Sequence, residues 1–132
     1  MRMASQGSAV LTVAITSLAL SASARAVEIE QLLGRWSSTE FDECQYADDS
    51  EGAPLQIRQE NGETLIGNYG FLCSVKDWKQ DGDFLVGSAK ACGMEGGEDT
   101  FDETYRLGLN DKGELLMSET ETTGLRRCPA VQ

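Results

Sequence analysis

Apolar and polar residues alternate along many short segments of this chain, which is the period-two pattern of β-strands with one buried face. The clearest example is residues 100–109, where Phe101, Tyr105 and Leu107 fall on one face and polar side chains fall mainly on the other. Residues 55–60 alternate in the same way. The pattern therefore predicts an all-β protein.

Turn residues divide the chain into seven or eight short strands. The strongest hairpin signal is Asn61-Gly62, because a type I′ turn needs two residues that tolerate positive φ. Gly67 and Gly70 leave two interpretations of the segment around them, either two strands or one strand bent at the glycines. The predicted strands are residues 34–41, 55–60, 63–69, 71–79, 84–92, 100–109, 115–120 and 124–128.

So many short antiparallel strands leave exposed edges unless the sheet closes on itself. We therefore predict a small up-and-down β-barrel of seven or eight strands, with an open sandwich as the alternative. Small residues such as Gly87 and Ala89 fit the sharply coiled strands of a narrow barrel. Residues 28–33 are expected to form a short helical turn before the barrel, ended by Gly34.

The first 26 residues have the pattern of a secretory signal peptide. Arg2 precedes an apolar run at residues 9–20 that is too short to span a bilayer, and residues 24–26 form an A-x-A cleavage pattern. We therefore expect residues 1–26 to be removed and residues 27–132 to form a single β-barrel domain. The expected location is periplasmic or secreted, with no membrane insertion after cleavage.

All four cysteines fall in this expected domain, and an even number in an oxidising compartment predicts two disulfides. A metal site is disfavoured because the chain has no C-x-x-C pair and no histidine. The three connectivities stay open, and one of them links Cys73 with Cys92 on neighbouring predicted strands. The cysteines are Cys44, Cys73, Cys92 and Cys128.

The chain is strongly acidic, with 22 Asp and Glu against 11 Lys and Arg. Loss of Arg2 and Arg25 with the signal peptide would lower the net charge from −11 to −13. Such a surface repels nucleic acid and anionic membranes, keeps the protein in solution and steers a basic partner protein towards it.

Two loops concentrate this charge. Calcium needs six to eight converging oxygens, and neither loop has the spacing of a known calcium motif, so we expect both loops to be solvated and no metal to be bound. The first loop contains Asp42, Glu43, Asp48, Asp49 and Glu51, and the second contains Glu95, Glu98, Asp99 and, just beyond it, Asp102.

The residue types disfavour catalysis. Without histidine, the chain cannot build a Ser-His-Asp or Cys-His system, and oxidised cysteines supply no thiolate. No phosphate-binding loop is present, so no cofactor is expected. A site made of two carboxylates is the remaining enzymatic alternative.

A G-x-W pattern at Gly34 and Trp36 opens the first predicted strand, and Arg126 and Arg127 lie in the last one. First and last strands are neighbours in a closed barrel, so an arginine there would lie across the indole, a contact worth about 0.5–2 kcal/mol. This combination resembles the calycin superfamily, which includes lipocalins and bacterial periplasmic metalloprotease inhibitors.

Within that superfamily, the chain is weakly similar to the periplasmic metalloprotease inhibitors. Those are exported eight-stranded barrels with L-x-G-x-W near the mature N-terminus and a cysteine soon after, matched here by Leu32 or Leu33, Gly34, Trp36 and Cys44. This resemblance favours Cys44–Cys73 together with Cys92–Cys128, the second of which would tie the last strand to the sheet. The family inserts an N-terminal tail into its protease, but only a short acidic stub precedes Gly34 here.

The chain also resembles a group of uncharacterised small exported proteins of alphaproteobacteria. The shared features are the G-x-W start, four cysteines, a C-x-x-E-G segment and a terminal R-C-P. Here the segment is Cys92, Glu95 and Gly96, and the terminal motif is Arg127-Cys128-Pro129. This resemblance runs the length of the expected domain and implies no function.

These observations favour an exported, non-enzymatic binding or inhibitor-like module, whose partner would be a basic exported protein. The alternative is a lipocalin-like carrier of a small apolar ligand. Aromatic residues at strand positions, among them Tyr69 and Phe71, are expected to pack in the core. The sequence does not say whether any of them lines a cavity.

Overall fold

Eight antiparallel strands form one nearly closed barrel, which confirms the predicted fold class. The computed structural model describes residues 27–130, together with residues 7, 9, 10 and 12–14. Apart from those short stretches, the predicted signal peptide lies outside the described residues.

A four-residue helix, α1 (Ile29–Leu32), precedes the barrel as predicted. One 3-10 turn, Glu43–Gln45, follows the first strand. The strands are β1 (Gly34–Ser37), β2 (Leu55–Glu60), β3 (Glu63–Gly67), β4 (Phe71–Asp81), β5 (Phe84–Met94), β6 (Thr100–Leu109), β7 (Leu115–Leu116) and β8 (Arg126–Arg127).

Each strand from β1 to β6 pairs with the next one along the chain, and β8 returns to pair with β1. In that last pair, Trp36 lies opposite Arg127. Leu115 and Leu125 exchange two backbone hydrogen bonds of 2.8 and 2.9 Å, and this bridge joins β7 to the segment before β8. The first and last strands therefore meet in the barrel wall, as expected for an up-and-down barrel.

The first strand is shorter than predicted because a buried serine turns the chain. The Ser37 hydroxyl donates to the Phe41 carbonyl over 2.9 Å and accepts from the Glu43 N–H over 3.0 Å. Residues 38–41 therefore leave the sheet. The predicted strands at 115–120 and 124–128 shrink to two residues each, because only those residues pair as continuous strands and Leu125 adds a single bridge.

The segment that allowed two interpretations forms two strands. β3 and β4 are antiparallel neighbours, and the chain reverses between them at residues 68–70. Asn68 donates its N–H to the Phe71 carbonyl over 3.0 Å, and its side chain accepts from the Gly70 N–H over 2.8 Å. The glycines thus mark a tight turn.

Apolar side chains fill the barrel interior. Trp36, Ile66 and Leu107 are completely buried, and they come from strands on different sides of the barrel. The inward residues follow the period of two that the sequence shows. The other core residues are Val27, Leu32, Leu55, Ile57, Cys73, Val75, Leu85, Ala89, Cys92, Tyr105 and Leu115.

The disulfide pairing differs from the preferred expectation. The two bonds are Cys44–Cys128 and Cys73–Cys92, so the pairing of Cys44 with Cys73 and of Cys92 with Cys128 is wrong. Cys73 and Cys92 face each other from the inner sides of β4 and β5, with Cα atoms 4.4 Å apart. This is the cross-strand alternative that the sequence left open. Cys44 lies beside the last strand and bonds to Cys128 there.

An extra residue interrupts β5 near the second disulfide. The register with β6 shifts between Ala89 and Cys92, the register with β4 shifts between Ala89 and Gly93, and Ala91 adopts a positive φ of 55°. The Asp102 carboxylate accepts the Ala91 N–H over 3.1 Å. Such a bulge bends the strand and increases its coiling, which helps a narrow barrel to close.

We expect Ala91→Gly to raise the free energy of unfolding by about 0.5–1 kcal/mol, because glycine adopts positive φ without a side-chain penalty. Urea unfolding followed by tryptophan fluorescence measures the change. The matched control is Ala89→Gly, two residues earlier in a buried strand position, which should lower the same free energy by roughly 1 kcal/mol. Destabilisation by both substitutions would contradict the bulge geometry.

Candidate functional site

The up-and-down topology brings the two acidic loops to the same end of the barrel. Alternate connections of such a barrel lie at the same end, so the β1–β2, β3–β4, β5–β6 and β7–β8 connections are neighbours. We call this surface the acidic end. It comprises residues 38–54, 68–70, 95–99 and 117–125 and the strand residues that border them.

Tyr69, in the β3–β4 turn, lies near carboxylates of both acidic loops. A hydrogen bond with Glu95, together with the charge of that carboxylate, raises the pKa of Tyr69 above its ordinary value. Glu51, from the other acidic loop, adds to this effect. The Glu95 N–H also donates to the Gly70 carbonyl over 3.0 Å. The short β3–β4 turn therefore lies between the two loops.

Two arginines and a disulfide fix the first acidic loop against the barrel. Arg35 donates to the Asp48 carboxylate over 2.9 Å and to the Tyr46 carbonyl over 2.8 Å. Arg126 donates to the Asp42 carboxylate over 2.6 Å. Together with the Cys44–Cys128 bond, these contacts hold a long loop in one arrangement.

Apolar side chains are exposed at the same end. In residues 27–130, every exposed large hydrophobic residue belongs to the acidic end or to the first or last two residues of the strands that enter it. Phe41 is the extreme case at 70% exposed, and Met94 is 56% exposed. The full set is Phe41, Tyr46, Tyr69, Leu72 and Met94.

Most carboxylates have no cationic partner among the described residues. Seven of the 22 carboxylates form ion pairs in the described part of the chain, and those pairs engage most of its cations. At the acidic end, Asp49, Glu98 and Asp99 are exposed and form no ion pair with described residues. The acidic end therefore combines apolar side chains with uncompensated carboxylates.

Of the barrel-closing residues, Trp36 and Arg127 contact the segment around α1, away from the acidic end. The Arg127 guanidinium stacks over the Trp36 ring, 4.3 Å from its centroid, and donates to the carbonyls of Gln31 and Leu33 at the end of α1. A side chain at Gly34 would come within 2.8 Å of this guanidinium. Arg126 points instead to the first acidic loop, so the two arginines hold different parts of the chain.

The described residues contain neither a candidate cluster of metal ligands nor a helix able to span a membrane. Within residues 27–130 and the short N-terminal stretches, no three acidic or cysteine side chains come close enough to hold a metal ion. The same part of the chain contains no helix with the length and apolar character needed to cross a bilayer.

Tyr105 is buried on the inner face of β6, opposite Gly87. Burial, and secondarily the charge of Glu103, raises the pKa of Tyr105 from 10.0 to about 12. Because the folded pKa lies above the unfolded one, neutral Tyr105 stabilises the fold below pH 10, and this contribution disappears as the pH rises towards 12.

We therefore expect the free energy of unfolding to fall by about 2 kcal/mol between pH 10 and pH 12, and Tyr105→Phe to remove most of this dependence. Urea unfolding at a series of pH values measures it. Tyr46→Phe, at an exposed tyrosine, should leave the dependence in place. A Tyr105→Phe profile identical to that of the wild type would contradict the prediction.

The exposed apolar residues of the acidic end were not recognised from the sequence. Tyr69 was expected in the core because aromatic residues at strand positions usually pack there, yet it is 41% exposed in a turn. Phe41 falls in the part of the first predicted strand that leaves the sheet. The one sequence feature that could have indicated their exposure is their position next to the acidic loops.

No family model, curated protein or solved structure matches this chain. The resemblances to calycin barrels and to exported alphaproteobacterial proteins therefore stay predictions.

Proposed function

We propose that residues 27–132 form an exported, non-enzymatic binding module whose acidic end recognises a basic partner protein. The observation that supports it most is the concentration of the exposed aromatic, leucine and methionine side chains between two acidic loops. Aromatic residues and methionine are enriched in protein interfaces, with polar residues at the rim. Uncompensated carboxylates around them would steer a cationic partner to this surface.

The proposed compartment follows from the covalent structure and the N-terminal pattern. Two disulfides persist in oxidising compartments, such as the periplasm and the extracellular space. Residues 1–26 have the pattern of a signal peptide that directs a chain there. A basic protein of the same compartment is therefore the proposed partner.

An inhibitor-like action would have to use the acidic end. Residues 27–33 precede the barrel at its opposite end, where Leu32 is completely buried and Arg127 binds the carbonyls of Gln31 and Leu33. This segment is tied to the barrel, so it does not have the freedom of a tail that enters a protease cleft. The resemblance to metalloprotease inhibitors thus supports the compartment more than the mode of action.

The carrier alternative has less support. A carrier needs a cavity inside the barrel, whereas the interior positions here hold Trp36, Ile66, Leu107 and other completely buried side chains. Protein binding needs no such cavity. An apolar molecule that co-purifies with the protein and displaces these side chains would support the carrier function instead.

Capture from the exported protein fraction of the native cells tests the proposal. The acidic-end variant carries Asp49→Asn, Glu98→Gln and Asp99→Asn. The control carries Glu30→Gln, Asp83→Asn and Asp111→Asn, which removes the same charge from exposed residues outside the acidic end. Each captured protein is then purified and titrated against all three forms.

We expect a basic protein to bind the wild type and the control with similar Kd, and the acidic-end variant at least about tenfold more weakly. The affinity of the wild type should also fall as salt is added. If no captured protein distinguishes the acidic-end variant from the control, the proposal is wrong.

A further inference from the structure

One strand edge of the barrel lacks a neighbouring strand. β7 pairs only with Gly108 and Leu109 of β6, and the closing bridge joins Leu115 to Leu125. Among the described residues, positions 100–107 of β6 therefore pair on one side only, with β5. Every second residue of a strand directs its N–H and C=O to a given side, so this edge offers backbone groups to another strand.

A pocket of about 330 Å³ lies along this edge. Its lining includes Glu103 and Tyr105, which the register places on the inner face of β6, and Thr104, which lies on the outer face. Residues from both faces of one strand line the same pocket only where that pocket runs beside the strand's edge. The other lining residues are apolar: Phe71, Phe101 and Met117.

Glu103 is the charged group of this pocket. It is exposed at an inward position, and it forms no ion pair or side-chain hydrogen bond with the described residues. Its neighbour Asp102, in contrast, accepts the Ala91 N–H and pairs with Lys90 over 3.3 Å. An inward carboxylate on an edge strand disfavours pairing with a second copy of the same strand, whereas a cation on an incoming strand would neutralise it.

We propose that an extended segment of a basic partner protein adds to β6 as a further strand and places a lysine or arginine against Glu103. The apolar stem of that side chain would pack on Phe101 and Tyr105. The inference rests on the proposed function, because it names one contact of the same partner. The edge begins at Thr100, immediately after the second acidic loop. A single partner can therefore contact the β6 edge and the acidic end together.

A titration of the isotope-labelled protein with synthetic peptides, followed by NMR, tests this inference. The probe is the capped pentapeptide acetyl-Thr-Val-Arg-Val-Thr-amide, which alternates as a strand does. One matched peptide carries citrulline, which has the shape of arginine without its charge. A second is methylated on alternate backbone nitrogens, so it cannot complete the strand pairing.

We expect the probe to shift the amide signals of residues 100–107, and both matched peptides to bind at least about tenfold more weakly. Glu103→Gln should weaken binding of the arginine probe to the same extent. Asp111→Asn, at an exposed carboxylate in the turn between β6 and β7 and outside the acidic end, should retain the affinity. The amide spectrum of each variant shows whether its barrel is intact.

Signal changes confined to residues 42–53 and 95–99, equal binding of the citrulline peptide, or no change at millimolar peptide would each overturn the inference. None of these results affects the proposed function, which is tested by capture with the acidic-end variant. Conversely, the peptide could bind at Glu103 while no captured protein distinguishes the acidic-end variant from its control. That result would overturn the proposed function and retain the binding site at the β6 edge.

Discussion

Replacement of both Cys44 and Cys128 by alanine is expected to lower the free energy of unfolding by about 4–5 kcal/mol, because the bond closes a loop with a sequence separation of 84 residues. In the chain-entropy model, a longer loop constrains the unfolded chain more. The bond between Cys73 and Cys92, with a separation of 19 residues, should contribute about 3 kcal/mol.

Urea unfolding of the purified protein measures this loss, and reduction supplies the control. Under reducing conditions the wild type loses both bonds and the variant loses its remaining bond. The two proteins should then differ by less than about 1 kcal/mol, since only the side-chain replacements still distinguish them. A difference that persists after reduction would assign the effect to the side chains and contradict the crosslink explanation.

The same bond should matter for binding. Cys44 lies in the first acidic loop, which Arg35 and Arg126 also hold. Without the crosslink, the loop would have to be ordered when the partner binds, and that ordering costs free energy. The variant should therefore capture the proposed partner more weakly than the wild type does, even under conditions in which it is fully folded.

Trp36→Ala is expected to lower the free energy of unfolding by about 3–5 kcal/mol, the range for a large aromatic residue removed from a core. Trp36 is completely buried, its indole N–H donates to the Leu32 carbonyl over 2.9 Å, and its ring supports the Arg127 guanidinium. The substitution therefore removes core volume, the anchor of α1 and the contact between the first and last strands together.

Urea unfolding of a set of variants separates these contributions. Trp36→Phe should cost less than Trp36→Ala because it keeps an aromatic face for Arg127. In a double-mutant cycle, Trp36→Ala and Arg127→Ala should show a coupling of about 0.5–2 kcal/mol. Trp78→Ala, at a half-buried tryptophan, should cost less than Trp36→Ala. Absence of coupling would show that the stacked pair does not contribute to closing the barrel.

Short-range patterns of this chain were sufficient for the fold class. The period of two in residues 100–109 and the Asn61-Gly62 turn depend only on neighbouring residues, and both reappear as β6 and as the β2–β3 hairpin. The proximity of Trp36 to the last strand could also be inferred, because closure of a barrel makes its first and last strands neighbours.

The disulfide pairing and the strand lengths depend on long-range geometry. Cys44 reaches Cys128 because Ser37 turns the chain out of the sheet and the first acidic loop folds back over β8. No local pattern encodes that path. The bulge at Ala91 likewise arises from barrel curvature, and alanine gives no sequence signal for a positive φ.

The acidic end was only partly predictable. Both acidic loops were visible as charge clusters, but their meeting at one end follows from the strand count, and one strand more or fewer between them would separate them. The exposure of Phe41 and Tyr69 could not be inferred, because an aromatic residue next to a strand has the same local pattern whether it is buried or exposed. Glu103 was overlooked although the period of two places it on the same face as Phe101 and Tyr105.

Site-specific photo-crosslinking in the native export compartment tests most directly whether the acidic end is a binding surface. A photoreactive phenylalanine analogue replaces exposed Phe41 in one protein and exposed Lys112, in the turn between β6 and β7, in the control. We expect a basic protein to be crosslinked from position 41 and not from position 112. Equal crosslinking from both positions, crosslinking from position 112 alone, or none from position 41 would contradict it.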